Sequence, residues 1–197
     1  MAQLDIDHLN HEFETVTPQE ILTWAWKQFN PRIAATSSFQ SQSLPLLHMI
    51  AKSTPELPVF FLDTGFHFPE TLAFRERLIS ELGIKVQTLA AKMGRKTFLH
   101  QHGELYRRDP DLCCYLNKVE PLRQAKASLK AWISGIRRDQ TETRKNTSII
   151  AQDHDGRYKI CPLATWTRQD IWRYIHRHDL PIHPLMSQGY MSIGCEP

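Results

Sequence analysis

No apolar run in this 197-residue chain approaches the roughly 20 residues of a membrane-spanning helix, so no segment reads as one. The opening MAQLDIDHLNHEFE has no basic stretch ahead of an apolar one, which excludes a secretory signal and leaves the cytoplasm as the expected compartment. Internal repeats and low-complexity tracts are absent. Cysteines number only four, Cys113, Cys114, Cys161 and Cys195, too few for a small disulfide-stapled secreted scaffold. The net charge of +3 is too small to argue for a nucleic-acid partner. No Gly-Lys-Ser/Thr closes any loop in the Walker A manner, and no C-x₂₋₄-C pair offers the usual half of a zinc site.

What is present is a chain of ordinary globular composition, 41% hydrophobic and 23% charged, long enough for one domain over residues 1–197 with a real core. An amphipathic opening leads to TPQEILTWAWKQFN, a helix with a Thr17/Glu20 capping box and Pro18 in its first turn, ended by Asn30-Pro31. Strands are expected at RIAATSSF, PVFFLDTG, KVQTLA, AWISGIR, SIIAQD and YKICPLATW. Helices are expected at LPLLHMIAK, FPETLAFRERLISELG, DLCCYLNKVEPLRQAKA and TRQDIWRYIHRHD, the last with a Thr167/Asp170 capping pair. Alternation of strand and helix over the first two thirds argues an α/β fold, a mainly parallel sheet with helices on both faces. The tryptophans fall in these periodic segments and read as packing residues.

Such sheets bind ligands beyond the C-terminal ends of their strands. Three polar loops follow predicted strands: Ser37 to Ser43, Asp63-Thr64-Gly65, and a cluster holding Arg137, Arg138, Arg144 and Lys145. In the first, hydroxyls and backbone N–H groups at a helix start suit an anion. In the second, Asp suits a ribose hydroxyl or an adenine amino group, and Gly allows close backbone approach. The third suits phosphate or sulfate. Each alone also reads as an ordinary polar turn or solvated loop. The adjacent Cys113 and Cys114 are ill-placed to bond to each other and can ligate a metal or cluster with help from elsewhere, Cys195 being the next candidate; two buried free thiols are an equal reading on spacing alone. Cys161 reads as a buried strand thiol. His67 could line the site, and the other histidines read as surface or core residues.

Taken together, SSFQSQS, FFLDTGFHFPET, DLCCYLNKVEPL, WISGIRRDQTETR and HPLMSQGYMSIGC resemble the adenylyl-sulfate and phosphoadenylyl-sulfate reductase family, in order and over most of the chain from about residue 30. The resemblance implies an adenine-nucleotide α-hydrolase-like fold. It implies thioredoxin- or glutaredoxin-dependent reduction of adenylyl sulfate, or of phosphoadenylyl sulfate, to sulfite during sulfate assimilation. It carries substrate binding onto Ser37, Ser38, Phe39, Gln40, Ser41, Asp63, Thr64, Gly65, Lys118, Arg137, Arg138 and Arg144. The cluster-bearing branch of the family holds a four-iron four-sulfur group on a CC…CxxC pattern, which Cys113, Cys114 and Cys195 match in three positions, favouring adenylyl sulfate. The family pattern places a fourth ligand immediately after Pro197 and the nucleophilic cysteine further on, so no catalytic residue is expected within residues 1–197. No nucleic acid or membrane is expected as a partner, and a homo-oligomer stays open. Two rivals remain: an ATP-pyrophosphatase relative, which would carry an SGGxDS-type loop, and a nucleotide- or zinc-binding module without catalysis.

Overall fold

The computed structural model describes residues 4–190 and 193–196. Met191 and Ser192, inside the last matched motif, lie outside the described residues. A first helix, α1 (Ile6–Phe13), is followed by α2 (Pro18–Phe29), whose N-terminus carries the expected capping box: Thr17 and Glu20 exchange hydrogen bonds that satisfy the otherwise unpaired first N–H groups.

Among the described residues, six strands form one sheet in the order β3-β2-β1-β4-β6-β5: β1 (Ile33–Ser37), β2 (Val59–Asp63), β3 (Val86–Ala90), β4 (Ala131–Ser134), β5 (Ile150–Gln152) and β6 (Tyr158–Ile160). All neighbours are parallel except β5, which pairs antiparallel with β6 through the Asp153–Arg157 turn. The central strands β1, β2 and β4 are mostly buried because helices cover the sheet. Right-handed crossovers place α3 (Leu44–Ser53) and α4 (Pro69–Leu82) on one face. There α3 packs against α2, α4 and the late helix α9 (Arg168–Arg177). The return from β3 to β4 covers the other face with α5 (Arg95–His102), α6 (Leu105–Arg108), α7 (Pro110–Cys114) and α8 (Glu120–Lys126), α8 lying against β3.

Two features depart from the expected elements. Residues 91–109, without strong periodicity, fold into α5 and α6, whose Phe98 and Leu105 join Phe66 and Cys113 in a small second core. The single helix expected across the cysteine pair is broken by a π-helical turn at Tyr115–Val119. Pro121 explains the break: it has no N–H to return to Asn117, and its ring crowds that carbonyl. Cys161 is fully buried one residue beyond β6, close to its expected place.

The direction of winding reverses at β1, whose neighbours β2 and β4 lead to opposite faces. A crevice opens at such a switch point, beyond the C-terminal strand ends.

Candidate active site

The β1–α3 loop is shaped by one residue in an uncommon conformation. Phe39 has φ of +56°, a left-handed geometry that costs an ordinary residue about 1 kcal/mol or more. Its ring is fully buried edge-on against Phe61, 5.5 Å between centroids, and this packing holds the strained turn. Ser38 Oγ then lies 3.2 Å from Ser43 Oγ at the mouth of the loop.

Behind β2, Asp63 accepts a hydrogen bond from the Gly65 N–H at 2.9 Å and closes the turn. Gly65 has φ of +72°, and a Cβ there would stand 3.3 Å from that of Arg95, so the turn requires glycine. Thr64 Oγ1 accepts from the Phe66 N–H and lies 3.3 Å from Cys195 Sγ.

These loops enclose a cleft of about 360 Å³. Ser37, Ser38, Gln40, Thr64, Lys118 and Arg144 line it, six of the twelve residues expected at the substrate site. Its deeper walls are apolar, from Leu46, Phe61, Leu62, Leu122 and Ile136. A second cleft of about 560 Å³ adjoins it through Ser38, Ser43 and Arg144, and adds Arg137 and Arg168. The Arg137 side chain is only 2% exposed; it donates to Asp139 at 2.9 Å and Gln42 at 3.1 Å, and its Nη1 has no partner.

The remaining expected residues act differently. Asp63 and Gly65 shape the turn rather than line the cleft, and Phe39 is a packing residue. Ser41 is buried, its hydroxyl accepting from the His183 N–H. Arg138 points away from the cleft, because Glu14 beside α1 takes its guanidinium in two hydrogen bonds and the Thr147 carbonyl takes a third. Arg138 in turn holds the Glu14 carboxyl below its usual range. Sequence reasoning missed Thr71, Gly135 and Arg168 as lining residues. The first two bear no signal beyond their nearness to predicted strand ends, and Arg168 reaches the cleft only through the packing of α9.

At the mouth of the first cleft the π-helical turn holds Cys113 inward and Cys114 at the surface. Asn117, buried, donates its amide to the Cys113 carbonyl at 3.0 Å and approaches Cys113 Sγ at 3.7 Å. Lys118 Nζ lies 3.8 Å from Cys114 Sγ. Burial pushes the Cys113 thiol up, and the neighbouring Cys114 and Cys195 push it further; Cys195 packs against the small core that holds Cys113. Among the described residues, no group of three His, Cys, Asp or Glu side chains converges on one point as a single metal ion requires. A cluster takes its thiolates at separated corners, and crowded thiols with amide and ammonium donors suit that arrangement. Cys161, far more deeply buried, is pushed up to about 11.

A polar loop after β1 and a half-apolar cleft at the switch point of a mostly parallel six-stranded sheet give an α/β fold of the adenine-nucleotide α-hydrolase-like type. Residues 32–197 match the family model described as the phosphoadenosine phosphosulfate reductase domain, and the chain belongs to that family. It is 40% identical over 99% of its length to a phosphoadenosine 5′-phosphosulfate reductase from Gloeobacter violaceus, of which it covers 82%. It is 39% identical over 97% of its length to an adenosine 5′-phosphosulfate reductase from Streptomyces coelicolor, of which it covers 81%. The crystal structure of a phosphoadenylyl-sulfate reductase from Candida auris in phosphate complex superposes with a TM-score of 0.84 at 30% identity, covering 100% of this chain and 96% of that one.

Proposed function

We propose that this protein reduces adenylyl sulfate to sulfite and AMP in cytoplasmic sulfate assimilation, with a thioredoxin or glutaredoxin as reductant. The observation that carries the choice of substrate is the packing of Cys195 against the small core that holds Cys113, with Lys118 on the cleft wall 3.8 Å from Cys114 Sγ. Those three cysteines would hold a four-iron four-sulfur cluster; its chemistry there is to bring charge and order to the sulfate end of the cleft. Ser38, Ser43 and Arg144 hold the phosphosulfate by hydrogen bonds and charge. Lys118 faces both the thiolates and the cleft, and offsets negative charge on each.

The chemistry is nucleophilic displacement at sulfur. A cysteine thiolate forms an S–S bond to the sulfuryl group while the S–O bond to phosphate breaks and AMP leaves. A thiolate of the reductant then attacks the enzyme sulfur, releasing sulfite, and its second thiol resolves the mixed disulfide, so the dithiol supplies both electrons. Arg144 stabilises the charge that develops on the leaving phosphate. Among the described cysteines, Cys161 is a poor nucleophile, sealed in the core with its thiol pushed up to about 11. With Cys113, Cys114 and Cys195 assigned to the cluster, the proposed nucleophile is a cysteine other than these four.

Phosphoadenylyl sulfate is the second reading, favoured by the adjoining cleft, where the unpartnered Arg137 Nη1, Arg144 and Arg168 could receive a further phosphate. Residues 1–197, purified without oxygen, are expected to retain iron and sulfide, to bind adenylyl sulfate more tightly than phosphoadenylyl sulfate, and to release no sulfite with reduced thioredoxin. Tighter binding of the 3′-phosphorylated nucleotide would transfer the assignment to the second reading. Sulfite release by these residues would overturn the placing of the nucleophile.

A further inference from the structure

The helical segment that carries the cysteine pair buries one polar side chain outside both clefts. Asn117 sits in the π-helical turn, is 2% exposed, and lines neither cleft. On local grounds asparagine is a poor choice there. It favours a helix less than leucine does, and its amide must be stripped of water. Its partners supply the reason. Nδ2 donates to the Cys113 carbonyl at 3.0 Å, one turn back, and its second hydrogen is available to Cys113 Sγ at 3.7 Å. Both contacts join protein atoms already in place.

Adjacent cysteines are thus served by adjacent donors, each four residues further along. Asn117 reaches Cys113, and Lys118 reaches Cys114. The kind of donor follows burial, since Cys113 is buried and Cys114 exposed. A neutral amide costs far less to bury than an ammonium, so the inward sulfur has asparagine and the outward one lysine. The lysine also lines the cleft, which the asparagine does not.

We infer, resting on the assignment of Cys113, Cys114 and Cys195 to a cluster, that Asn117 is a positioning residue for that cluster, holding the Cys113 side chain inward and donating an N–H to its sulfur. The bond to the carbonyl fixes the amide across one helical turn and so aims the second N–H at the sulfur. A ligating thiolate accepts this bond more strongly than a thiol, because it carries charge. Donation draws electron density from the sulfur, weakens its bond to iron and favours the reduced state of the group.

The test is resonance Raman spectroscopy and redox titration of the oxygen-free protein with its iron and sulfide, as wild type, Asn117→Leu and Asn117→Thr. Leucine keeps a similar branched shape and loses both donors. Threonine keeps one hydrogen, which a helical hydroxyl gives to the carbonyl one turn back; it restores the backbone bond and not the bond to sulfur. Both variants are expected to show an iron–sulfur(cysteine) stretching band at higher frequency than the wild type, with a lower reduction potential. An asparagine that only braced the helix would be rescued by threonine. A band unshifted or moved to lower frequency in either folded variant would overturn the inference and leave the cluster standing. Where Asn117→Leu does not fold, the Asn117→Thr band decides alone. Absence of iron and sulfide from the folded wild type would overturn both.

Discussion

Arg137, Arg138 and Arg144 look alike in sequence, and their neighbours give them three different roles. Arg137 is immobilised in the loop by Asp139 and Gln42, whereas Arg138 is drawn to Glu14 on the far side. Arg144 bonds only to the Gln140 side chain among the described residues and faces both clefts. Arg144→Ala removes the charge-assisted contact proposed for the substrate and is expected to weaken AMP binding by roughly tenfold to a hundredfold, corresponding to about 1.5–3 kcal/mol. Arg138→Ala is expected to leave that affinity unchanged and to cost at most about 1 kcal/mol of stability, since its partner is a half-exposed carboxylate. Titration of both variants with AMP, and urea denaturation of the second, checks the pair.

At the scale of the element, the loops depend on backbone geometry that only certain residues permit. Gly65→Ala must hold a side chain at φ of +72° against Arg95, and is expected to destabilise the protein by more than about 1 kcal/mol. It is also expected to weaken nucleotide binding, because the displaced turn carries Thr64 and leads into His67. Denaturant unfolding and AMP titration on one preparation measure both effects. Most of these elements were legible beforehand. The capping boxes at Thr17 and Thr167 and the glycine end of α4 are local hydrogen-bonding signals, and all three appear where read. The buried strands β1, β2 and β4 announce themselves as apolar runs. Short helices α5 and α6 were not legible, because their formation depends on packing Phe98 and Leu105 under the cysteine pair, not on periodicity. Neither was the π-helical turn, a compromise between Pro121 and continuation of the helix.

For the molecule as a whole, buried histidines tie stability to pH. His48, wedged between α3 and α9 against Tyr174 and His178, has its pKa lowered from the ordinary 6.5, by burial first and then by His178 and Lys52. His183 is lowered by burial, which outweighs the opposing charge of Glu70. Each takes up a proton in the unfolded chain near pH 6.5 but only at lower pH in the folded one, so acidification favours unfolding. Their contribution is complete above pH 6.5 and is lost as pH falls through the folded values. The melting temperature is expected to drop between pH 7.5 and pH 5.5. Replacing His48 with Gln, which keeps a hydrogen-bonding group for Tyr174 but does not titrate, is expected to flatten part of that slope. Scanning calorimetry of both proteins across the interval decides it.

The sequence by itself determined what is local or cumulative: the capped helices, the apolar strands, the α/β class, and the five ordered motifs that mark the family. These depend on hydrogen bonds within a few residues and on the summed burial of apolar runs, which a linear pattern records. Only the tertiary structure decided which polar side chains share a space. It turned Arg138 outward and Arg144 inward, and brought Cys195 to Thr64, 131 positions away, and to the small core that holds Cys113. It joined His67 to the Leu62 carbonyl and His183 to the Leu185 N–H, backbone partners that no sequence pattern specifies. The physical reason is that hydrogen-bond polarity and access belong to pairs of groups from separate elements, and those pairs exist only after the sheet has been covered on both faces.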